Sequence, residues 1–144
     1  WPNDILVEGA KISGILLEVA NAIGSKYPSV IVGIGVNVAL APDNLKYRAT
    51  CMRDLDCGVS GDVLLSDLIE QFLELENKWA QSGLDPILAE WLDHAVGLGE
   101  KILVRTGERK LEGVFENLDE KGALLLRGAD GKVDKISAGD IFIS

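Results

Sequence analysis

An apolar segment with a single cation at its start is the feature that most constrains how this chain folds. Residues 11–20 read K-I-S-G-I-L-L-E-V-A, so apolar residues are nearly continuous after the lysine. Such a run predicts a strand that is covered on both faces. Lys11, followed three residues later by Gly14, indicates a place where a cation beside accessible backbone holds an anion. On the residues alone, a lysine that keeps its ammonium in water is the open alternative.

Two further strands are predicted around this segment. Asp4–Glu8 precedes it across a Gly9-Ala10 turn, and Val30–Val38 follows it with the sequence V-I-V-G-I-G-V-N-V. The third segment is rich in β-branched residues, which favour strands. Because the connections are short, we expect the neighbouring strands to be antiparallel.

The third strand carries two glycines and an amide with a spacing of two residues. Gly33, Gly35 and Asn37 therefore lie on one face, since alternate residues of a strand point to the same side. Because the two glycines have no side chains, this face offers a flat surface to a flat ligand, or room for the backbone of a crossing strand. The side-chain amide of Asn37 offers a donor and an acceptor, which suit the edge of a nucleobase. The alternative is an ordinary asparagine that ends the strand.

Two helices are predicted after an irregular stretch that spans residues 41–61. Apolar residues repeat at three- and four-residue steps across Asp62–Gln81, with Ser60 or Asp62 as the cap and Gly83 at the end. Asp85-Pro86 opens the second helix, with Asp85 as its cap. The aromatic residues predicted to lie in the core are Phe72, Trp79 and Trp91.

From Leu98 onwards the pattern changes to short strands separated by turns. The predicted strands are residues 101–106, 110–117, 123–127, 132–136 and 141–143. Strands at this spacing indicate a small closed barrel, with Gly113 at a bulge or a corner. The net charge also changes, from −8 over residues 1–94 to −1 over residues 95–144. We therefore expect two domains, 1–95 and 96–144.

Composition argues against several classes of function. The formal net charge is −9 with no basic stripe, which disfavours nucleic-acid binding through these residues. No apolar run is long enough to span a bilayer and no secretory signal opens the chain, so a cytoplasmic protein is expected. Cys51 and Cys57 are expected to be free thiols, with a disulfide as the alternative. No metal site is predicted, because His94 is the only histidine and no C-x-x-C is present.

Three motifs in register resemble the biotin protein ligases. They are W-P-N-D at 1–4, K-I-S-G-I-L-L-E at 11–18 and G-I-G-V-N-V at 33–38. The tail, with G-V-F at 113–115 and G-A-L-L-L at 122–126, resembles the SH3-like C-terminal domain of that family. The resemblance implies an α+β fold: part of a mixed sheet with helices, of the class II aminoacyl-tRNA-synthetase and biotin-ligase type, followed by a small SH3-like β-barrel.

The resemblance also implies an activity. The family joins biotin to ATP, which carries Mg²⁺, giving biotinyl-5′-AMP and pyrophosphate, and then transfers biotin to a lysine of the biotin carboxyl-carrier domain of a carboxylase. Lys11 would contact the biotin carboxylate and the α-phosphate. The motif match assigns Lys11 and Asp4 to catalysis, Lys11, Gly14, Leu16, Gly33 and Gly35 to biotin, and Asn3, Asp4 and Asn37 to the adenylate.

The chain is expected to be a fragment. An initiator methionine is trimmed efficiently only before small residues, so Trp1 is an unusual natural start. The family's loop G-R-G-R-x-x-R, which clamps the adenylate, is expected upstream, and the fragment alone is expected to be inactive. A sheet edge left by the missing half would favour a homodimer. Two other functions stay open: a non-catalytic binding or assembly protein that keeps the fold, and a relative of the lipoate ligases.

Overall fold

The computed structural model describes residues 3–20, 26, 28–137 and 139–143. Trp1 and Pro2 of the W-P-N-D motif lie outside the described residues. The chain divides into two compact units between Leu68 and Ile69. The α+β class is confirmed, since the described residues form two antiparallel sheets and two α-helices. The domain boundary expected after residue 95 remains a prediction.

The first unit is built on a three-stranded antiparallel sheet. Its strands β1 (Asp4–Val7), β2 (Ala10–Ala20) and β3 (Ser29–Val36) pair in chain order, as the sequence predicts. Glu8 and Gly9 join the first two strands with φ angles of 50° and 74°. Positive φ at both central residues is the requirement of the tightest hairpin turns, which twist in the same sense as the strands they connect.

The segment after β3 returns to β2 instead of continuing away from it. The Lys11 N–H donates to the Arg48 carbonyl at 2.8 Å, and the Thr50 N–H donates to the Lys11 carbonyl at 3.0 Å. These bonds form a parallel bridge between Lys11 and Ala49. Within the described part of this unit, the mixed sheet implied by the resemblance is present only as this bridge, because the three strands themselves are antiparallel.

The two helices occur where the sequence predicts them, as α1 (Gly61–Ser82) and α2 (Asp85–Asp93). Ser60 caps α1, because its hydroxyl accepts from the Val63 N–H at 3.4 Å. Asp85 does not cap α2; the cap position is Leu84, and Asp85 lies in the first turn. No described helix combines the length and apolar character needed to cross a bilayer.

The prediction that every helical aromatic lies in the core is wrong for two of three residues. Phe72 and Trp79 are 50% and 60% exposed. Trp91, in contrast, is partly buried and packs against the apolar cluster of the second unit. The three- and four-residue repeat identifies the apolar face of a helix, but it does not say what covers that face.

The second unit contains a five-stranded antiparallel sheet. Its strands are β4 (Lys101–Thr106), β5 (Arg109–Leu118), β6 (Leu124–Arg127), β7 (Val133–Ile136) and β8 (Asp140–Ile143), in the spatial order β7-β6-β5-β4-β8. Among the residues that the structure covers, β7 and β8 are the outer strands and no pairing closes the barrel. The irregularity in β5 lies between Phe115 and Asn117 and not at Gly113.

One compact apolar cluster forms the interior of this second unit. Its buried members are Ile102, Val104, Phe115, Leu124, Leu126 and Ile136. Trp91 from α2 meets the Phe115 ring at a centroid distance of 6.5 Å and an interplanar angle of 54°. Tilted contacts of this kind are favoured between aromatic rings. Helix α2 is therefore part of the same packed interior as the sheet.

Asp119 organises the turn between β5 and β6. Its Oδ1 accepts from the backbone N–H groups of Lys121 and Ala123, each at 2.9 Å, and its Oδ2 accepts from Lys135 at 3.2 Å. The backbone N–H of Ala123, then that of Lys121, and more weakly Lys135, lower the pKa of the Asp119 carboxyl. A hydrogen bond to the charged form favours ionisation.

This lowered pKa predicts an acid-sensitive contribution to stability. A lowered folded-state pKa stabilises the fold above the unfolded pKa, about 4, and this contribution disappears as the pH falls through the folded value. We expect Asp119→Asn to be less stable than the wild type at pH 7, with a difference in melting temperature that shrinks towards pH 3. Melting curves at both pH values test this, with Glu120→Gln in the same turn as the control. A difference that stays constant with pH would contradict the prediction.

Candidate functional site

A small open cavity lies in the first unit beside the start of β2. It has a volume of about 70 Å³. Its lining residues are Lys11, Ser13, Gly14, Gly35, Asn37, Pro42, Leu45, Tyr47 and Ala49. Pockets for drug-sized ligands occupy about 300–1,000 Å³. The described residues therefore surround the space of one charged group, such as a carboxylate or a phosphoryl group, and not that of a whole nucleotide.

An extra residue in β2 determines which side chains share the face of this cavity. Asp4 lies opposite Gly14, and Leu6 lies opposite Lys11, so Ile12 has no partner in β1. In a regular strand, Lys11 and Gly14 would point to opposite faces because an odd number of steps separates them. The bulge at Ile12 cancels one step. Lys11, Gly14 and Asp4 consequently share one face of the sheet.

The ammonium of Lys11 lies against bare backbone. Its Nζ is 2.5 Å from Asp4 Oδ1, and the Lys11 and Asp4 side chains are 25% and 49% exposed. A Cβ atom added to Gly14 would be 3.3 Å from the same Nζ. The glycine thus leaves room for the ammonium, which faces the cavity on the side of the two glycines that line it and does not extend into bulk solvent.

The floor of the cavity is formed by a pair of glycines on neighbouring strands. Gly35 lies directly opposite Gly14 in the β2–β3 pairing. Gly33 and Leu16 form the next pair on the same face. Neither of these two lines the cavity, and the Leu16 side chain is 61% exposed. The predicted biotin residues therefore share a face, but only Lys11, Gly14 and Gly35 meet around this space.

The predicted adenylate residues are placed less uniformly. Asn37 lines the cavity, and its Nδ2 donates to the carbonyls of Thr50 at 3.0 Å and Lys11 at 3.5 Å. The amide donor is thus engaged in holding the segment after β3 against β2. Asn3 is exposed, and its backbone carbonyl accepts from the Ile15 N–H at 2.8 Å. Asp4 reaches the site through its ion pair with Lys11.

Sequence reasoning missed the wall of the cavity, which comes from the stretch predicted to be irregular. Pro42, Leu45 and Tyr47 lie on this wall. The Lys11 Nζ lies over the Tyr47 ring, 5.3 Å from the ring centroid. An available signal was the presence of two large side chains, Leu45 and Tyr47, in the otherwise polar segment 43–48.

Two further observations concern polar and sulfur groups. The Ser13 hydroxyl is buried, and among the described residues it has no hydrogen-bond partner. Both cysteines are free, with Cys51 buried and Cys57 partly exposed, which agrees with the expectation of free thiols. Within the described part of the chain, no group of three or more His, Cys, Asp or Glu residues is placed to hold a metal ion.

Comparison with known proteins gives three concordant findings. The family model described as "Biotin protein ligase C terminal domain" matches residues 97–144. The biotin–[acetyl-CoA-carboxylase] ligase of Paracoccus denitrificans is 37% identical over 148 residues, which cover 99% of this chain and 61% of the relative. The apo biotin protein ligase of Aquifex aeolicus superposes with a TM-score of 0.84 at 28% identity, covering 100% of this chain and 64% of that one.

Over nearly its whole length, the chain is similar to the C-terminal part of the biotin protein ligases. Residues 97–144 correspond to the C-terminal domain of these ligases. The bifunctional ligase/repressor BirA of Bacillus subtilis is a further relative, 35% identical over 98% of this chain but only 44% of its own length. The chain thus spans between about two fifths and two thirds of the length of these biotin protein ligases.

Proposed function

We propose that this chain supplies the lysine-bearing part of a biotin protein ligase active site. In this proposal the full-length protein activates biotin with ATP to biotinyl-5′-AMP and then transfers biotin to a lysine of a carboxylase carrier domain. The observation that carries the proposal is the Lys11 ammonium beside the floor formed by Gly14 and Gly35. The 144 residues alone are proposed to be inactive, because the cavity that their described part lines, about 70 Å³, is far smaller than the usual pocket for a drug-sized ligand.

The chemistry places two anions against each other. A carboxylate oxygen of biotin attacks the α-phosphorus of ATP, the bond from that phosphorus to the bridging oxygen breaks, and pyrophosphate leaves with the electron pair. A fixed cation beside the attacking carboxylate and the α-phosphoryl oxygens lowers their repulsion and stabilises the charge that develops. We assign this role to Lys11, whose side chain lines the cavity beside Gly14.

Transfer then forms an amide and releases AMP. The ε-amine of the carrier lysine attacks the acyl carbon of the mixed anhydride, the bond from that carbon to the phosphate oxygen breaks, and the amine loses a proton. Asp4, which is half exposed and paired with Lys11, is proposed to orient the ammonium. Gly14 and Gly35 allow the reacting carboxylate to approach the backbone closely.

The remaining assignments belong to the same proposal. Leu16 and Gly33, on the same face as Gly14, would extend the biotin surface, and Asn3 and Asn37 would lie beside the adenylate. Mg²⁺ is proposed to enter with ATP as part of that substrate. A solved biotin protein ligase of Aquifex aeolicus in complex with biotin and ATP has a TM-score of 0.81 to this chain at 28% identity, which supports these two substrates.

Partners and location follow from the proposed reaction and from the surface of the chain. The protein partner is the biotin carboxyl-carrier domain of a carboxylase. Free thiols are typical of reducing compartments, which supports a cytoplasmic location. The net charge of −9 supports the absence of nucleic-acid binding through these residues. A homodimer stays a prediction.

An exchange experiment tests the proposed function. In the full-length gene product, we expect ATP–pyrophosphate exchange that depends on added biotin, because adenylate formation is reversible and releases pyrophosphate. Lipoate serves as the matched acid substrate and is expected to give no exchange. Exchange with lipoate alone would favour a lipoate ligase, and no exchange with either acid would favour a non-catalytic protein.

A further inference from the structure

Tyr47 lies where it can act on the Lys11 ammonium without neutralising it. The Nζ atom is over the ring face at 5.3 Å from the centroid, within the distance of about 6 Å at which a cation is attracted by an aromatic quadrupole. Tyr47 also lines the cavity together with Lys11, Gly14 and Gly35. The aromatic face and the cation therefore border the same space.

Hydrogen bonds to the backbone of Lys11 hold the segment that carries Tyr47. The residue after it, Arg48, accepts a hydrogen bond from the Lys11 N–H at 2.8 Å, and Thr50 donates to the Lys11 carbonyl at 3.0 Å. The Asn37 side chain reinforces this link by donating to Thr50 at 3.0 Å. These bonds hold the backbone next to Tyr47 against Lys11, so the Tyr47 side chain starts beside the lysine, although the residue is 53% exposed.

The two partners of the ammonium differ in kind. Asp4 carries a full negative charge at 2.5 Å, so it offsets the positive charge that an incoming anion would meet. A ring face attracts the cation through a quadrupole and leaves its net charge unchanged. The ring can therefore restrict where the ammonium points while keeping it available to a carboxylate or a phosphoryl oxygen.

We propose that Tyr47 is a positioning residue that keeps the Lys11 ammonium directed at the cavity during adenylate formation. This inference rests on the proposed function, and it adds a residue from the segment after β3 to the site. Tyr47 acts through Lys11. Phenylalanine at position 47 keeps the ring face and is expected to keep the Lys11 ammonium directed at the cavity. Leucine removes the aromatic quadrupole and is expected to lose this effect.

The test compares ring and non-ring variants in the full-length gene product. Tyr47→Leu is expected to lower the kcat of biotin-dependent ATP–pyrophosphate exchange about two- to fivefold, the size of a cation–π contact, while the KM for ATP stays unchanged. Tyr47→Phe is expected to retain wild-type kcat. Phenylalanines with one, two and three ring fluorines at position 47, which keep the shape and weaken the quadrupole, are expected to lower kcat progressively. Leu40→Ala, at a 72% exposed apolar residue outside the cavity lining, is the control.

Several results would overturn the inference and leave the proposed function intact. These are an active wild type with Tyr47→Leu at the wild-type kcat, a phenylalanine as slow as leucine, or a fluorine series without a trend. If Tyr47→Leu does not fold, the fluorine series decides, because those variants preserve the packing. A wild type without biotin-dependent exchange would instead contradict the proposed function.

A spectroscopic measurement tests the contact independently of activity. In the wild-type chain, the ring current of Tyr47 is expected to move the NMR signals of the Lys11 Cε protons upfield, and Tyr47→Leu is expected to return them to the positions of an exposed lysine. Unshifted Lys11 signals in the wild type would overturn the inference whatever the kinetics show.

Discussion

Lys11→Ala is expected to reduce biotin-dependent adenylate formation by about a hundredfold or more in the full-length gene product, the loss typical of removing one group that stabilises transition-state charge. The variant leaves biotin and the α-phosphate, two anions, without the cation that offsets their repulsion. The fold is expected to be preserved, because the Lys11 backbone makes the bonds to Arg48 and Thr50 and these do not depend on its side chain. The measurement is the rate of ATP–pyrophosphate exchange, with the melting temperature recorded in parallel.

Two matched variants test whether activity depends on the position and shape of this charged group or only on the total charge of the protein. Lys46→Ala removes a lysine from an exposed site in the same unit that does not line the cavity, and it is expected to behave as the wild type. Lys11→Arg keeps the charge but replaces a compact ammonium by a broad planar group, so partial activity is expected. Wild-type exchange by Lys11→Ala would remove this residue from the proposed mechanism, and a large loss in Lys46→Ala would point to a general effect of charge.

Phe115→Ala is expected to destabilise the second unit by about 3–5 kcal/mol, the usual range for truncating a buried phenylalanine. Phe115 is fully buried and contacts Trp91, so its removal leaves a cavity between α2 and the sheet. Domains of this size are stable by only about 5–15 kcal/mol. Urea unfolding followed by tryptophan fluorescence measures the change.

Phe72→Ala is the matched control for this truncation. It removes the same side chain from a position that is 50% exposed, so the expected loss of stability is much smaller. Equal losses at the two positions would show that Phe72 is covered in solution. A loss below 1 kcal/mol for Phe115→Ala would mean that the apolar cluster of the second unit is not its principal source of stability.

The elements of the fold could be predicted from local patterns, because those patterns record which residues prefer a pleated or a helical backbone. Turns were predicted for a similar reason: Gly9 and Gly83 have φ angles of 74° and 75°, which glycine adopts without strain. Barrel closure depends on long-range pairing between β7 and β8. A local pattern contains little information on such pairing, and the described residues do not show it.

The site was predictable in its residue types but not in its geometry. The lysine, the glycines and the amide could be named from motifs, whereas the relation between Lys11 and Gly14 depends on the unpaired Ile12. Isoleucine at that position is as suited to a regular strand as to a bulge, so nothing in the local sequence reveals it. Tyr47 was missed for a related reason, since the segment after β3 has no periodicity and its return to β2 depends on hydrogen bonds to Lys11.

The unpaired Ile12 also determines which kinds of genetic change this site can survive. Amino-acid replacements at position 12 leave the strand with the same number of residues, so the lysine stays on the side of the glycines. Loss of the Ile12 codon would remove the extra residue itself, and Lys11 and Gly14 would then be two steps apart, a spacing at which a regular strand also places them on one face. In natural variation and in engineered libraries, position 12 can therefore change its side chain or be lost without moving the ammonium to the other face of the sheet.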